Sequence, residues 1–293
     1  LMKFVGQPFT FSFEQVGTNC GLFGKNACME VDGSAYWMSE NGFFTYDGQL
    51  QSMPCLVEDY VYDSINDTSR DLINCGLNNL FGEINWFYPS ESSDEVDRVV
   101  TYNYLDSSAK RPIWTTGSLA RTAWQDSAVF NRPHATYYGS NDNASFDVTG
   151  NTQGSTIYYN QETGTDEVNA GNIAVAIPAF IESGDFDITQ KRSNTGQAVG
   201  TPDLRGDGEY IMRISRFIPD FITQTGDTKV IFTTRAYPNS TPAVKEFTIN
   251  SSKTFQSTRI RARSIALKIS NTAINQDWKL GTFRLDIAPG GMR

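Results

Sequence analysis

GEINWFYPSESSDEVDRVVTYNYLDSSAKRPIWTTGSLARTAW, residues 82–124, is the stretch whose reading decides the fold class. It holds two β-type runs, 84–88 and 99–104, with a polar turn at 89–97 between them. Pro112-Ile113-Trp114 and Gly117 follow, then a short run at 119–124. Aromatic residues and Val alternate with smaller or polar ones, and turn formers separate the runs. This is the pattern of a small antiparallel meander. Residues 35–48 repeat the grammar: Ala35-Tyr36-Trp37-Met38, a turn at 39–42 containing Asn41-Gly42, then Phe43-Phe44-Thr45-Tyr46 and Asp47-Gly48. One meander followed by a similar one predicts blades, and blades predict a β-propeller.

Outward from these two units, residues 1–34 offer short β candidates at 9–13 and 27–31. Phe9, Phe11 and Phe13 alternate with Thr10 and Ser12, so one face of that strand is expected to be buried. Residues 67–80 form the one helix candidate, capped by Asp67-Thr68-Ser69 and carrying Leu72, Ile73, Cys75, Leu77 and Leu80 as a partial apolar face. The run 141–154 reads as an exposed loop. Residues 158–164 and 173–181 read as a hairpin, and 180–188 alternates, with Ile181 and Ser183 on one face. A polar, Gly-rich connection at 189–208 separates the blades of residues 1–188 from residues 209–293. There, runs at 210–218, 228–235, 244–249, 258–269 and 279–287 predict a C-terminal β-sandwich or small barrel. The fold expected is therefore all-β: a β-propeller, partial or with N-terminal blades missing, followed by a β-sandwich-like region.

Within the last part, Arg259, Arg261 and Arg263 share parity with Ile265, Leu267 and Ile269. A regular strand would put all six on one face. A bulge or bend near Arg263-Ser264 resolves the conflict by flipping the face. The alternative is a face exposed or partnered at one end and buried at the other. The three arginines are read as a candidate interface, an outward face in a symmetric contact, where Arg is enriched, with binding of phosphate or of a carboxylated partner surface as the competing reading.

The chain has 293 residues, enough for one large all-β domain or two medium ones. Charged residues are 19%, too few for disorder, and the 13% aromatic share favours sheets with small cores. The net charge of −9 argues against a general nucleic-acid binder, which needs a basic face. An acidic wall repels DNA, which suits a conduit. Cys20, Cys28, Cys55 and Cys75 include no Cys-x-x-Cys pair, and the single His134 completes no zinc set. They read as free thiols, with a Cys20–Cys28 bridge as the alternative. No run is long and apolar enough to span a membrane, and no signal peptide is visible. The opening Leu1-Met2-Lys3 suggests that the N-terminal part of a longer protein is missing. Sequons at Asn66, Asn143, Asn239 and Asn250 are at the level of chance.

Motifs for catalysis are weak. His134 lies in Arg132-Pro133-His134 with no nucleophile elbow, so it reads as a loop or surface residue. Residues 203–208 gather acids and glycines but lack calcium-loop spacing. Glu83, Glu182, Asp185 and Asp187 sit on or beside strands, the placement used by propeller glycosidases, yet spacing identifies no pair. Trp37, Trp86, Trp114, Trp124 and Trp278 lie in apolar strand contexts and read as packing rather than as a sugar platform. No catalytic, cofactor or metal residue is assigned.

The order Trp86-Phe87-Tyr88-Pro89-Ser90, Asp97-Arg98-Val99-Val100-Thr101-Tyr102-Asn103-Tyr104, Trp114, Gly117, Arg121-Thr122-Ala123-Trp124 resembles the central part of virion proteins of short-tailed bacteriophages. Pro178-Ala179-Phe180-Ile181-Glu182-Ser183-Gly184-Asp185-Phe186-Asp187-Ile188 and Ile218-Pro219-Asp220 follow in the same order. So do Asp277-Trp278-Lys279-Leu280-Gly281-Thr282-Phe283-Arg284-Leu285-Asp286-Ile287 and the tail Ala288-Pro289-Gly290-Gly291-Met292-Arg293. The resemblance covers most of residues 35–293. It implies a tail nozzle or hub protein, similar to the tail tubular protein B family and to packaged-DNA stabilisation proteins. These are built around β-propellers and form rings, by resemblance hexamers. Implied partners are adaptor and portal-side proteins, tail fibre or tip proteins, and genomic DNA that passes without sequence-specific binding. The resemblance carries no catalytic residues. The sequence departs from it in lacking an N-terminal half and in a loop at 139–156. The readings from other classes are a secreted propeller glycosidase or carbohydrate-binding protein, and a phage receptor-binding protein.

Overall fold

Alternating side chains and frequent turn formers build strands across the described residues; those before residue 164 pair with their neighbours in sequence, whereas most pairings after it join strands distant in sequence. The structure, a computed structural model, describes residues 1–127, 129–139, 155–168, 173–189, 210–237 and 239–292. The described residues are nearly all β, in antiparallel sheets, and form no closed barrel. The chain divides into two units, Leu1–Thr163 and Gly164–Arg293.

The first unit opens with a ribbon of β1 (Met2–Phe4) and β2 (Phe11–Phe13). Next come β3 (Cys28–Val31), β4 (Ser34–Ser39), β5 (Gly42–Tyr46) and β6 (Leu50–Met53), a four-stranded sheet in sequence order. A one-turn helix, α1 (Glu58–Tyr62), and a 3₁₀ helix at Asp67–Leu72 lead to a second four-stranded sheet. Its strands are β7 (Asn74–Asn78), β8 (Glu83–Tyr88), β9 (Arg98–Asn103) and β10 (Trp114–Gly117), again in sequence order. A third sheet joins β11 (Ala123–Gln125), β12 (His134–Gly139) and β13 (Ser155–Asn160).

The core of this unit is aromatic. Phe43 stands 4.6 Å from Trp114 and 5.1 Å from Trp86, ring centre to ring centre. Trp86, Tyr88, Met38 and Ile84 pack with them, fully buried. Each such side chain contributes about 1.5–3 kcal/mol of burial. All five tryptophans donate their indole N–H to a named acceptor: Trp37 to Cys20 O, Trp86 to Ala27 O, Trp114 to Pro54 O, Trp124 to Leu77 O and Trp278 to Asn271 Oδ1. A ring locked in this way is a packing element, as the sequence reading holds.

Several expectations are corrected. The helix expected at 67–80 is only a 3₁₀ turn, capped by Asn66 Oδ1 on Thr68 N rather than by Asp67. Residues 74–78 form a strand instead. Asn74, Gly76 and Asn78 are poor helix formers, and all three turn to the buried side while Cys75 and Leu77 take the other. A Cβ on Gly76 would lie 2.5 Å from Trp124 Cγ, so only glycine fits under that ring. The α-helix lies earlier, at 58–62. The run at 119–124 does not extend the β7–β10 meander; β11 pairs with β12. Phe9, Phe11 and Phe13 are not buried: they are 74%, 47% and 80% exposed. Met2 pairs with Phe13 and Phe4 with Phe11, so the ribbon does carry one apolar face, but nothing in the described chain covers it. The Cys20–Cys28 bridge is not formed; all four cysteines are free thiols.

The second unit begins with β14 (Asp166–Val168) and β15 (Ala174–Ala176), which pair with each other. The hairpin expected from 158–164 and 173–181 is therefore absent: residues 158–160 belong to β13, paired with β12. β16 (Ala179–Glu182) follows, and Phe186 bridges Ile265. The remaining strands are β17 (Tyr210–Ile218), β18 (Phe221–Thr225), β19 (Thr228–Arg235), β20 (Ala243–Ile249), β21 (Gln256–Ala262), β22 (Ser264–Asn271), β23 (Asp277–Leu280) and β24 (Arg284–Met292). One sheet runs β16-β22-β19-β20 and another β21-β17-β24, with β18-β23 as a separate pair. Met212, Ile214 and Phe217 from one sheet and Val230, Phe232 and Ile265 from the other share a single core. The loop expected at 141–154, within the insertion at 139–156, and the connection at 189–208 lie outside the described residues apart from their ends, as do residues 203–208.

Candidate functional site

The long run expected at 258–269 breaks where the arginine parity conflict falls. β21 ends at Ala262, Arg263 is a bend, and β22 starts at Ser264 in the other sheet. One chain segment thus serves both sheets. On β21, Thr258, Ile260 and Ala262 are buried while Arg259 and Arg261 are exposed. After the crossover, Ile265 and Ile269 point into the core. The change of sheet lets arginines and aliphatics of one parity face opposite surroundings.

The neighbouring strand adds to this face. On β17, Tyr210, Met212, Ile214 and Phe217 are buried, while Arg213, Ser215 and Arg216 are exposed. The register shifts between Ile214 and Arg216, against both β21 and β24. This bulge places two consecutive residues outward and restores Phe217 to the core. Arg213 lies directly across from Arg261. On β24, Asp286 sits across from Arg216, and its Oδ2 accepts from Arg216 Nε at 2.6 Å. Arg284 is paired with Asp220 at 3.1 Å. Among the described residues, the guanidinium groups of Arg213, Arg259 and Arg261 have no ion pair or hydrogen bond. Strand spacing of about 4.8 Å and a two-residue rise of about 7 Å gather these groups in one small patch.

Arg263 does not join the patch. It stands at the crossover with its guanidinium 5.4 Å from the Tyr237 ring centre. With Arg235, Tyr237, Thr241 and Arg261 it lines a cleft of about 420 Å³. Arg235 is bound by both carboxylate oxygens of Asp185. Arg259 and Arg261 thus lie on the open sheet face and Arg263 at the crossover, and the cleft is lined by both Arg261 and Arg263. The reading missed Arg213. Its alternation with Met212 and Ile214 is visible in the sequence, but its pairing with Arg261 requires the register.

Charge divides sharply between the units. Residues 1–163 carry 20 Asp and Glu against 8 Lys and Arg, whereas residues 164–293 carry 13 against 16. Five exposed acids of the first unit lie on two segments stitched together. Ile65 bridges Ser90, Glu91 N donates to Ser64 O at 2.7 Å, and Asn66 Nδ2 donates to Ser93 O at 2.8 Å. Asp59, Asp63, Asp67, Glu91 and Asp94 are exposed along these segments.

The carboxylates considered for catalysis are dispersed. Glu182 pairs with Lys268 and Asp185 with Arg235 in the second unit. Glu83 lies in the first, its carboxyl raised above the usual range by burial and then by Glu162. Glu162 is raised too, by burial, against the pull of Asn78 Nδ2 and Arg132. His134 hydrogen-bonds the Tyr158 hydroxyl through Nδ1 and stacks on that ring. Among the described residues, no three His, Cys, Asp or Glu side chains gather as a metal set. No family model matches the chain, and no curated protein matches it.

Proposed function

We propose that the chain is a structural component of a short-tailed phage tail, a nozzle or hub subunit that forms a homo-oligomeric ring around the DNA exit path. The observation that carries this reading is the pair of consecutive four-stranded meanders, β3–β6 and β7–β10, packed through Phe43, Trp86 and Trp114. Sequential up-and-down sheets of four strands are the form of propeller blades. On this reading they are two blades of a partial propeller, with β11–β13 a third, shorter one. The two sheets of the second unit, sharing one core, are a β-sandwich. The order of motifs over residues 35–293 supports the tail assignment, and the acid excess of the first unit suits a wall along which DNA slides without sticking. Adaptor, fibre or tip proteins are the partners, and the virion is the location. Negative-stain imaging of the purified protein, with mass spectrometry of virions, tests it: rings and virion peptides are expected. A monomer absent from virions overturns it.

One observation favours a second reading. Glu162 accepts from Asn78 Nδ2 at 2.9 Å, and Asn78 pairs with Glu83 across the β7–β8 ladder, so two carboxyls are brought close together, as glycoside hydrolysis requires. Turnover on a glycan panel, lost in Glu83→Gln, would establish it in place of the ring.

A further inference from the structure

We infer that the outer face of the β21-β17-β24 sheet is one half of a head-to-tail contact whose other half is the acidic surface of a second copy's first unit. This rests on the ring reading and specifies which surfaces close it.

Three facts lead there. First, Arg213, Arg259 and Arg261 occupy one sheet face, with Arg213 directly opposite Arg261 and neither paired among the described residues. Like charges directly opposite across a ladder are unfavourable in the isolated chain. The bulge at Ser215 adds Arg216 to the same face and leaves Asp286 as its counter-charge. Such a face is completed by oxyanions from outside, because guanidinium forks match carboxylates in geometry as well as charge.

Second, the chain itself carries the complement. Asp59, Asp63, Asp67, Glu91 and Asp94 are exposed on segments held together by the Ile65–Ser90 bridge and the Asn66 side chain. Two different, complementary surfaces on one chain make a heterologous contact, and a heterologous contact closes into a ring when its rotation permits. A self-complementary two-fold contact would place arginines against arginines.

Third, residues 210–293 hold 13 Lys and Arg against 5 Asp and Glu, although the whole chain is at −9. A second copy brings its own carboxylates to this basic face at the same concentration as the arginines they would meet.

The test uses the full chain in sedimentation velocity at low and moderate salt. Arg213→Glu with Arg261→Glu, and separately Asp63→Lys with Glu91→Lys and Asp94→Lys, are each expected to weaken assembly at least tenfold. The chain carrying both sets regains it, and the neutral pair Arg213→Gln with Arg261→Gln shows an intermediate loss. Circular dichroism establishes that each variant is folded. Assembly unchanged in the reversed variants overturns the contact and leaves the ring reading standing. Loss in both sets without recovery in the combined chain overturns it too. A 30-base-pair duplex bound by the wild type and released by Arg213→Glu with Arg261→Glu, with assembly unchanged, assigns the face to nucleic acid instead. A wild type that stays monomeric at every concentration removes the ring reading and the contact together.

Discussion

Arg213 and Arg261 face each other across the β17–β21 ladder, two cations in direct register on an exposed sheet face. Removing one relieves the repulsion. Arg213→Thr also installs a better strand former, so it is expected to stabilise the isolated chain by about 0.2–1 kcal/mol, read as a higher urea midpoint. The same substitution should weaken self-association, and a single variant that gains stability while losing assembly marks a residue kept for contact rather than for folding.

Trp86 is 0% exposed and holds Ala27 O through its indole N–H at 3.0 Å. Trp86→Ala removes the ring that packs against Phe43 and Trp114 and should cost about 3–5 kcal/mol in equilibrium denaturation. Trp86→Phe keeps part of the apolar volume and leaves Ala27 O the Met38 N–H that it also accepts, so a smaller cost is expected.

Gly76 lies under Trp124, which joins β7 of the second sheet to β11 of the third. Gly76→Ala should cost about 1–3 kcal/mol by overpacking. In combination with Trp124→Ala most of that penalty should disappear, because the obstructing ring is gone. A double-mutant cycle measures the coupling; additive costs would place the strain elsewhere.

Glu83 has a carboxyl raised above its ordinary value of 4.5 by burial and by Glu162. A raised carboxyl binds its proton more tightly in the folded chain than in the unfolded one. Its penalty on stability is absent below the unfolded value, grows as pH rises through it, and is complete above the folded value. Glu83→Gln should therefore raise the melting temperature at pH 7 and leave it nearly unchanged near pH 3.5. A gain equal at both pH values would point to packing rather than charge.

The parts legible in the sequence are those fixed by local alternation. Trp86, Tyr88, Val100 and Tyr102 announce β8 and β9, and Tyr36 to Tyr46 announce β4 and β5, because a half-buried strand needs that period. The bend at Arg263 is legible through a contradiction: arginine and isoleucine of one parity cannot share a surface. Other features depend on what comes from far along the chain. Ile73, Leu77 and Leu80 carry helix-like spacing, but the conformation of residues 74–78 is set by the ladder to β8 and by the Trp124 ring. The alternation of Phe9, Phe11 and Phe13 states that one face wants cover, yet no local pattern says whether the chain provides it. The Arg213–Arg261 pairing depends on register, which the bulge at Ser215 adjusts.

The crossover at Arg263 also has a mechanical meaning. β21 hydrogen-bonds to β17, and β22 to β16 and β19, yet the two are one covalent run with a single residue between them. The sheets cannot slide past each other without stretching that run. A pull along it loads the perpendicular ladder bonds on both sides of the bend together, in shear, rather than opening them one after another. The segment that carries the arginines is thus tethered at both ends to hydrogen-bonded sheets, so a force applied to that face is borne by the whole second unit.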